Sequence, residues 1–141
     1  MKIAVAIVFA GLAMTGIARA EVVAMVAAIA GSNEVPPTPS TASGTGEIVL
    51  DTASRQLSWK MKWSGLSAPL SATHFHGAAP ATANAGILLP IPAPNATAGE
   101  AAGSAVVTEQ QVTDILAGRW YINVHTPNYP AGEIRGQVVR R

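Results

Sequence analysis

Hydrophobic and polar positions alternate most regularly in "RQLSWKMKWSGL". Leu57, Trp59, Met61 and Trp63 fall on one side; Ser58, Lys60, Lys62 and Ser64 fall on the other. A period of two is that of an extended strand with one face in a core and one in water, as in an antiparallel sheet. Shorter apolar runs recur along the chain between turn signals, the pattern of an all-β sandwich or barrel. "EVVAMVAAIAG" predicts a first strand, and "SNEVPPTPSTASG" a Pro-rich loop that cannot be central strand. "TGEIVLDTAS" predicts the strand before the Trp-rich one, and "SATHFHGA" a short strand running into a loop. "ATANAG" reads as a turn, "GILLPIP" as an edge strand and "NATAGEAAG" as a further loop.

"SAVVTEQQVTDILAG" changes period midway. A strand through Val107 hands over to a helical turn near residues 109–117. Thr108 with Gln111 fits a capping box, Val112, Ile115 and Leu116 form one apolar stripe, and Gly118 can end the helix. "RWYINVHT" and "GEIRGQVVR" predict the last two strands, with "PNYPAG" as the turn between them. The expectation is an all-β antiparallel sandwich of seven to nine strands with one short helical turn.

The first twenty residues stand apart from that domain. "MKIAVAIVFAGLAMTGIARA" carries a Lys at position 2, an apolar run, and Ala18-Arg19-Ala20, which fits a cleavage pattern. The run is shorter than the roughly 20 residues of a membrane-spanning helix. Residues 1–20 are therefore expected to be a secretory signal peptide and residues 21–141 the domain. The destination is the periplasm, the cell envelope or the exterior, with no stable membrane span once the leader is cleaved.

Without Lys2 and Arg19, the nine basic residues fall to seven against eight acidic ones, a net charge of −1 with neutral histidine. That balance, with no cluster of Lys and Arg among aromatics, excludes electrostatic capture of nucleic acid. The Arg140-Arg141 end reads as a charged tail. There is no cysteine, which excludes disulfides, zinc–thiolate sites and thiol chemistry. A chain of this size buries enough surface to fold without disulfides. No G-x-S-x-G element and no Gly-rich phosphate loop between strand and helix is present.

Candidate chemistry lies with the three histidines. In "THFH", Thr73 and Phe75 share one face, so His74 and His76 share the other. In "WYINVH", Trp120, Ile122 and Val124 share the core face, and Tyr121, Asn123 and His125 the opposite one. In "GEIRGQV", Ile134, Gly136 and Val138 are expected inward, with Glu133, Arg135 and Gln137 outward. An H-x-H pair on one strand sets its Cα atoms about 7 Å apart, and a third His from a neighbouring strand would complete a His₃ set suited to copper or zinc. The plainer reading is three imidazoles that meet water or cap backbone carbonyls, with Asn123 a hydrogen-bonding partner. Glu34 in "NEVPP", and Glu133 with Arg135, are expected to form a structural ion pair pinning the first loop to the last strand. Their other reading is an anion site or a polar surround for the metal.

"GSNEVPP", "THFHG", "LAGRWYINVHT" and "PAGEIRGQV" occur in an order and spacing that resemble the CHRD domain, named from chordin. The resemblance covers about Val22 to Val139. It implies an immunoglobulin-like or superoxide-dismutase-like β-sandwich and brings no established biochemical activity. Chordin is a secreted antagonist of bone morphogenetic proteins, so a binding role is what the resemblance suggests. More distantly, "HFH" is similar to the copper-site strand of Cu/Zn superoxide dismutase, mapping onto His74 and His76. "GRWYINVH" is similar to the strand ending in that enzyme's last copper histidine, mapping onto His125. "AGEIRG" places Arg135 one residue later than that enzyme's anion-guiding Arg. The bridging histidine, the other zinc histidines and the disulfide have no counterparts here, which excludes a coupled copper–zinc centre.

The leading expectation is a non-enzymatic binding module for an unknown extracytoplasmic protein or ligand, with one copper ion on His74, His76 and His125 and with Tyr121, Asn123, Glu34, Glu133 and Arg135 around it. The alternatives are a copper-dependent redox enzyme related to superoxide dismutase, and a metal-free interaction module.

Overall fold

A computed structural model describes residues 19–141. The expected leader, residues 1–20, lies almost wholly outside the described residues. Among the described residues, nine strands, one α-helix and one 3₁₀ turn follow in chain order: β1 (Val22–Ala30), the 3₁₀ turn (Gly31–Asn33), β2 (Ser43–Asp51), β3 (Gln56–Ser64), β4 (Ala72–His76), β5 (Ile87–Pro90), β6 (Gly99–Val106), α1 (Glu109–Leu116), β7 (Tyr121–Thr126), β8 (Tyr129–Gln137) and β9 (Val139–Arg140). Among the described residues no helix is long and apolar enough to cross a membrane.

The strands form one antiparallel sheet in the order β5-β4-β7-β8-β1-β2-β3-β6, with β9 added to β1. β1, β2 and β3 pair along their whole lengths, whereas β1 and β8 meet in register only at Ala30 and Arg135. The sheet bends over at that narrow junction. Its two halves face each other across a core in which Trp59 of β3 meets Phe75 of β4 edge-on, with ring centroids 5.3 Å apart. Phe75 in turn contacts Trp120, just before β7, at 5.8 Å. The all-β sandwich expected from the periodicity is the observed fold.

Leu57, Trp59, Met61 and Trp63 all point into this core, at 1–5% exposure. The capping box forms: Thr108 Oγ1 accepts from Gln111 N, and Gln111 Oε1 accepts from Thr108 N. β5 is an edge strand as its prolines require.

Three local expectations need correction. The loop read in "NATAGEAAG" ends early, because Gly99–Gly103 belong to β6. Those glycines are packing residues: a Cβ at Gly103 would stand 2.6 Å from the Trp59 ring, and one at Gly99 2.8 Å from that of Trp63. "PNYPAG" is mostly strand, since β8 begins at Tyr129 and only Pro127 and Asn128 separate it from β7. Arg140 is more than a tail: it lies in β9 on β1 and forms an exposed ion pair with Glu21 at 3.0 Å.

Candidate metal centre

β4 and β7 are adjacent, and their register opposes His76 to Tyr121, His74 to Asn123 and Ala72 to His125. Cross-strand partners share a face, so one side of this half-sheet carries all three histidines. Phe75, between His74 and His76, points to the opposite side and is fully buried. The three rings form a near-equilateral group, with centroid separations of 5.6 Å for His74–His76, 5.3 Å for His74–His125 and 5.8 Å for His76–His125.

One nitrogen from each ring lies within 4.8 Å of the other two. Ligands bonded at about 2.0–2.1 Å to one ion stand roughly 3.4–4.2 Å apart, so ring movements of about an ångström close the set. His76 Nδ1 lies 2.9 Å from Ala85 O and His125 Nδ1 3.1 Å from Pro130 O. A carbonyl can only accept, so each ring carries its proton on Nδ1 and presents an Nε2 lone pair. His76 Nε2, His125 Nε2 and His74 Nδ1 are buried and have no hydrogen-bond partner. Buried polar atoms are rarely left unpaired, and here three converge.

The electrostatics favour neutral rings. Burial pushes all three imidazoles below their ordinary value of 6.5. Repulsion from His76 adds to this at His74, from Arg135 at His76, and from His74 and His76 at His125. The bonds to Ala85 O and Pro130 O oppose it at His76 and His125. Neutral imidazole is the form that ligates a metal. The donor set is three nitrogens without a carboxylate, which suits copper or zinc, so the residues present fit a single ion of that kind.

The other candidates divide into three groups. Tyr121 touches the cluster directly, its ring stacked on His76 with centroids 5.0 Å apart and planes 13° apart. Its hydroxyl bonds to the backbone of Ala85. Asn123 shares the histidine face but bonds to Glu34, donating from Nδ2 to Glu34 Oε1 at 2.7 Å. Glu133 occupies a cradle of its own: Oε1 accepts from Ser40 Oγ and Ser67 N, and Oε2 from Ser67 Oγ and Thr126 Oγ1, at 2.7–2.9 Å. Burial pushes the Glu133 carboxyl up, but these four donors together hold it below its ordinary value.

The outward expectation for β8 is overturned. Strand parity put Glu133 and Arg135 on the correct face, yet they are only 0% and 1% exposed. Segments 31–42 and 77–86 lie over that face. Thr38 Oγ1 and Ser40 Oγ donate to Glu133, while Arg135 donates to Pro80 O, Ala83 O and Asn84 Oδ1. Gln137 donates to Ala79 O. The expected ion pair is also absent: among the described residues neither Glu34 nor Glu133 pairs with Arg135. The Arg135 guanidinium instead lies 3.5 Å from the Tyr121 ring centroid. Ala85 O and Pro130 O, the acceptors that set the imidazole protons, carry no sequence signal because they are backbone atoms. Gln137 was within reach of strand parity alone.

The family model described as "CHRD domain" matches residues 25–138. The chain belongs to the CHRD domain family. No curated protein and no solved structure matches it. In this CHRD domain the matched span takes in every residue of the histidine cluster and both covering segments. The four motifs that carry the resemblance meet around one sheet face: "THFHG" on β4, "GRWYINVHT" on β7, "PAGEIRGQV" on β8, and "GSNEVPP" in the segment above them.

Proposed function

We propose that this CHRD domain is a non-enzymatic, extracytoplasmic binding module that holds one copper ion on His74, His76 and His125. The observation that carries the reading is the convergence of three buried imidazole nitrogens without protein partners. Copper(II) is favoured over zinc because nitrogen sites bind it more tightly among the divalent first-row metals. When bound, the ion supplies a Lewis-acidic, redox-capable centre. The chain's own residues keep the rings neutral, fix the tautomers of His76 and His125 through Ala85 and Pro130, and exclude water from the three nitrogens.

A binding role is favoured over catalysis by what surrounds the cluster. The Glu133 carboxylate accepts four hydrogen bonds from Ser40, Ser67 and Thr126, and that of Glu34 accepts one from Asn123. Arg135 is buried against Tyr121 and loop carbonyls. Among the described residues, Glu133 and Arg135 are thereby taken up by structural contacts. The module's partner is an extracytoplasmic protein or ligand, consistent with membership of a family typical of extracellular chains.

Calorimetric titration of the chain with copper(II) against a competing chelator tests the reading. Saturation near one equivalent is expected, and absence of saturable binding would overturn it in favour of a metal-free module. Consumption of superoxide by the loaded protein well above the free-copper background would instead favour a redox enzyme.

A further inference from the structure

Hydrogen bonds from Arg135 hold an irregular segment, residues 77–86, over the histidine face. Arg135 Nη1 donates to Asn84 Oδ1 at 3.0 Å, and Nη2 to Pro80 O and Ala83 O at 3.2 and 2.9 Å. The segment then presents Ala85. Its carbonyl accepts from Tyr121 Oη at 3.1 Å and faces His76 Nδ1 at 2.9 Å, while its N–H donates to Tyr121 Oη at 2.9 Å. β7 lies between β4 and β8 in the sheet. The Tyr121 ring is therefore held between His76 of β4 and Arg135 of β8.

A structural role alone would be served by any packing that buries these side chains. What is particular here is that both arms of the arrangement end on one imidazole. The stack fixes the plane of the His76 ring, and the Ala85 carbonyl fixes its proton on Nδ1. With both set, Nε2 can only point toward His74 and His125.

We propose that Tyr121 and Arg135 are positioning residues for His76, acting through the ring stack and through the backbone of Ala85 to hold Nε2 in the ligating geometry. The proposal deepens the metal-binding reading and rests on it for its function. Metal ligands are commonly oriented by a partner on the second ring nitrogen, and loss of that partner weakens metal binding about tenfold or more. The Tyr–Arg layer adds a second restraint, on the ring plane.

Tyr121→Phe keeps the stack and removes only the hydroxyl contacts to Ala85. Arg135→Lys keeps a cation near Tyr121 and loses the planar fork that spans Pro80, Ala83 and Asn84. In the full-length, metal-free protein, ¹⁵N NMR of His76 should report the Nδ1–H tautomer in wild type and a mixture of tautomers in both variants. Thermal denaturation should show both variants folded. In the copper-loaded protein, Tyr121→Phe should bind about tenfold more weakly with a changed parallel hyperfine coupling by electron paramagnetic resonance. A His76 tautomer unchanged in both folded variants overturns the proposal. A wild-type chain that binds no copper overturns the metal-binding function, and the tautomer measurement still decides the positioning role on its own.

Discussion

The His74 and His125 rings meet edge to face with centroids 5.3 Å apart, though they lie on different strands and far apart in sequence. The β4–β7 ladder opposes His74 to Asn123, two residues before His125. The two histidines are thus diagonal neighbours on one sheet face, a spacing within reach of ring side chains. His76 joins them from the same strand as His74, so the cluster depends on both the ladder and its register.

Removing one ring should show this dependence. His125→Ala is expected to weaken copper(II) binding at least about tenfold with little change in melting temperature, since the ring is only partly buried. The pH profile carries a second signature. The imidazoles titrate below 6.5, so the fall in affinity with falling pH should be centred below that value. A fall centred above pH 6.5 would contradict the buried, neutral cluster.

Glu34 should couple folding to pH in the opposite sense. Burial raises its carboxyl to about 7 from an ordinary 4.5, against the hydrogen bond from Asn123 and the attraction of Arg135. Its folded value lies above its unfolded one, so its contribution is complete below about 4.5 and is lost as pH rises through about 7. Glu34→Gln keeps an acceptor for Asn123 and removes the charge. The variant should match wild type near pH 4.5 and exceed it by about 1–3 kcal/mol at pH 8, measured by chemical denaturation.

Glu133 should behave as a staple. Its folded value is held below the ordinary 4.5, so its contribution is present above that pH and is lost as pH falls through the depressed value. Glu133→Ala leaves donors from Ser40, Ser67 and Thr126 unpaired and opens a cavity. The expected loss is about 3 kcal/mol or more near neutral pH, read from urea unfolding midpoints.

Gly132 tests the packing around Asn123. Its φ of +129° lies in a region that side chains rarely adopt. A Cβ there would stand 2.6 Å from Glu34 Oε1 and overlap Asn123 Oδ1. Gly132→Ala should cost about 2 kcal/mol or more. A melting temperature equal to wild type would show that the Asn123–Glu34 pair is free to move.

How far the chain could be read differs by level. Alternation in β3 and the capping box at Thr108 are local patterns, and both appear as read. Parity likewise placed His74, His76 and His125 on faces away from Phe75, Ile122 and Val124. Parity gives the side of a strand but not what covers it. Glu133 and Arg135 were therefore expected in water, while segments 31–42 and 77–86 bury them. Their partners are backbone carbonyls and hydroxyls distant in sequence, which no residue pattern announces. Gly99 and Gly103 misled for a related reason: a glycine that makes room for an indole resembles a glycine in a turn.

The central claim is one ion bound by three named nitrogens, and anomalous scattering at the copper edge from crystals of the copper-loaded chain tests it most directly. The expected result is a single strong peak about 2 Å from His74 Nδ1, His76 Nε2 and His125 Nε2. No peak among the three rings, or copper held elsewhere on the surface, would contradict it.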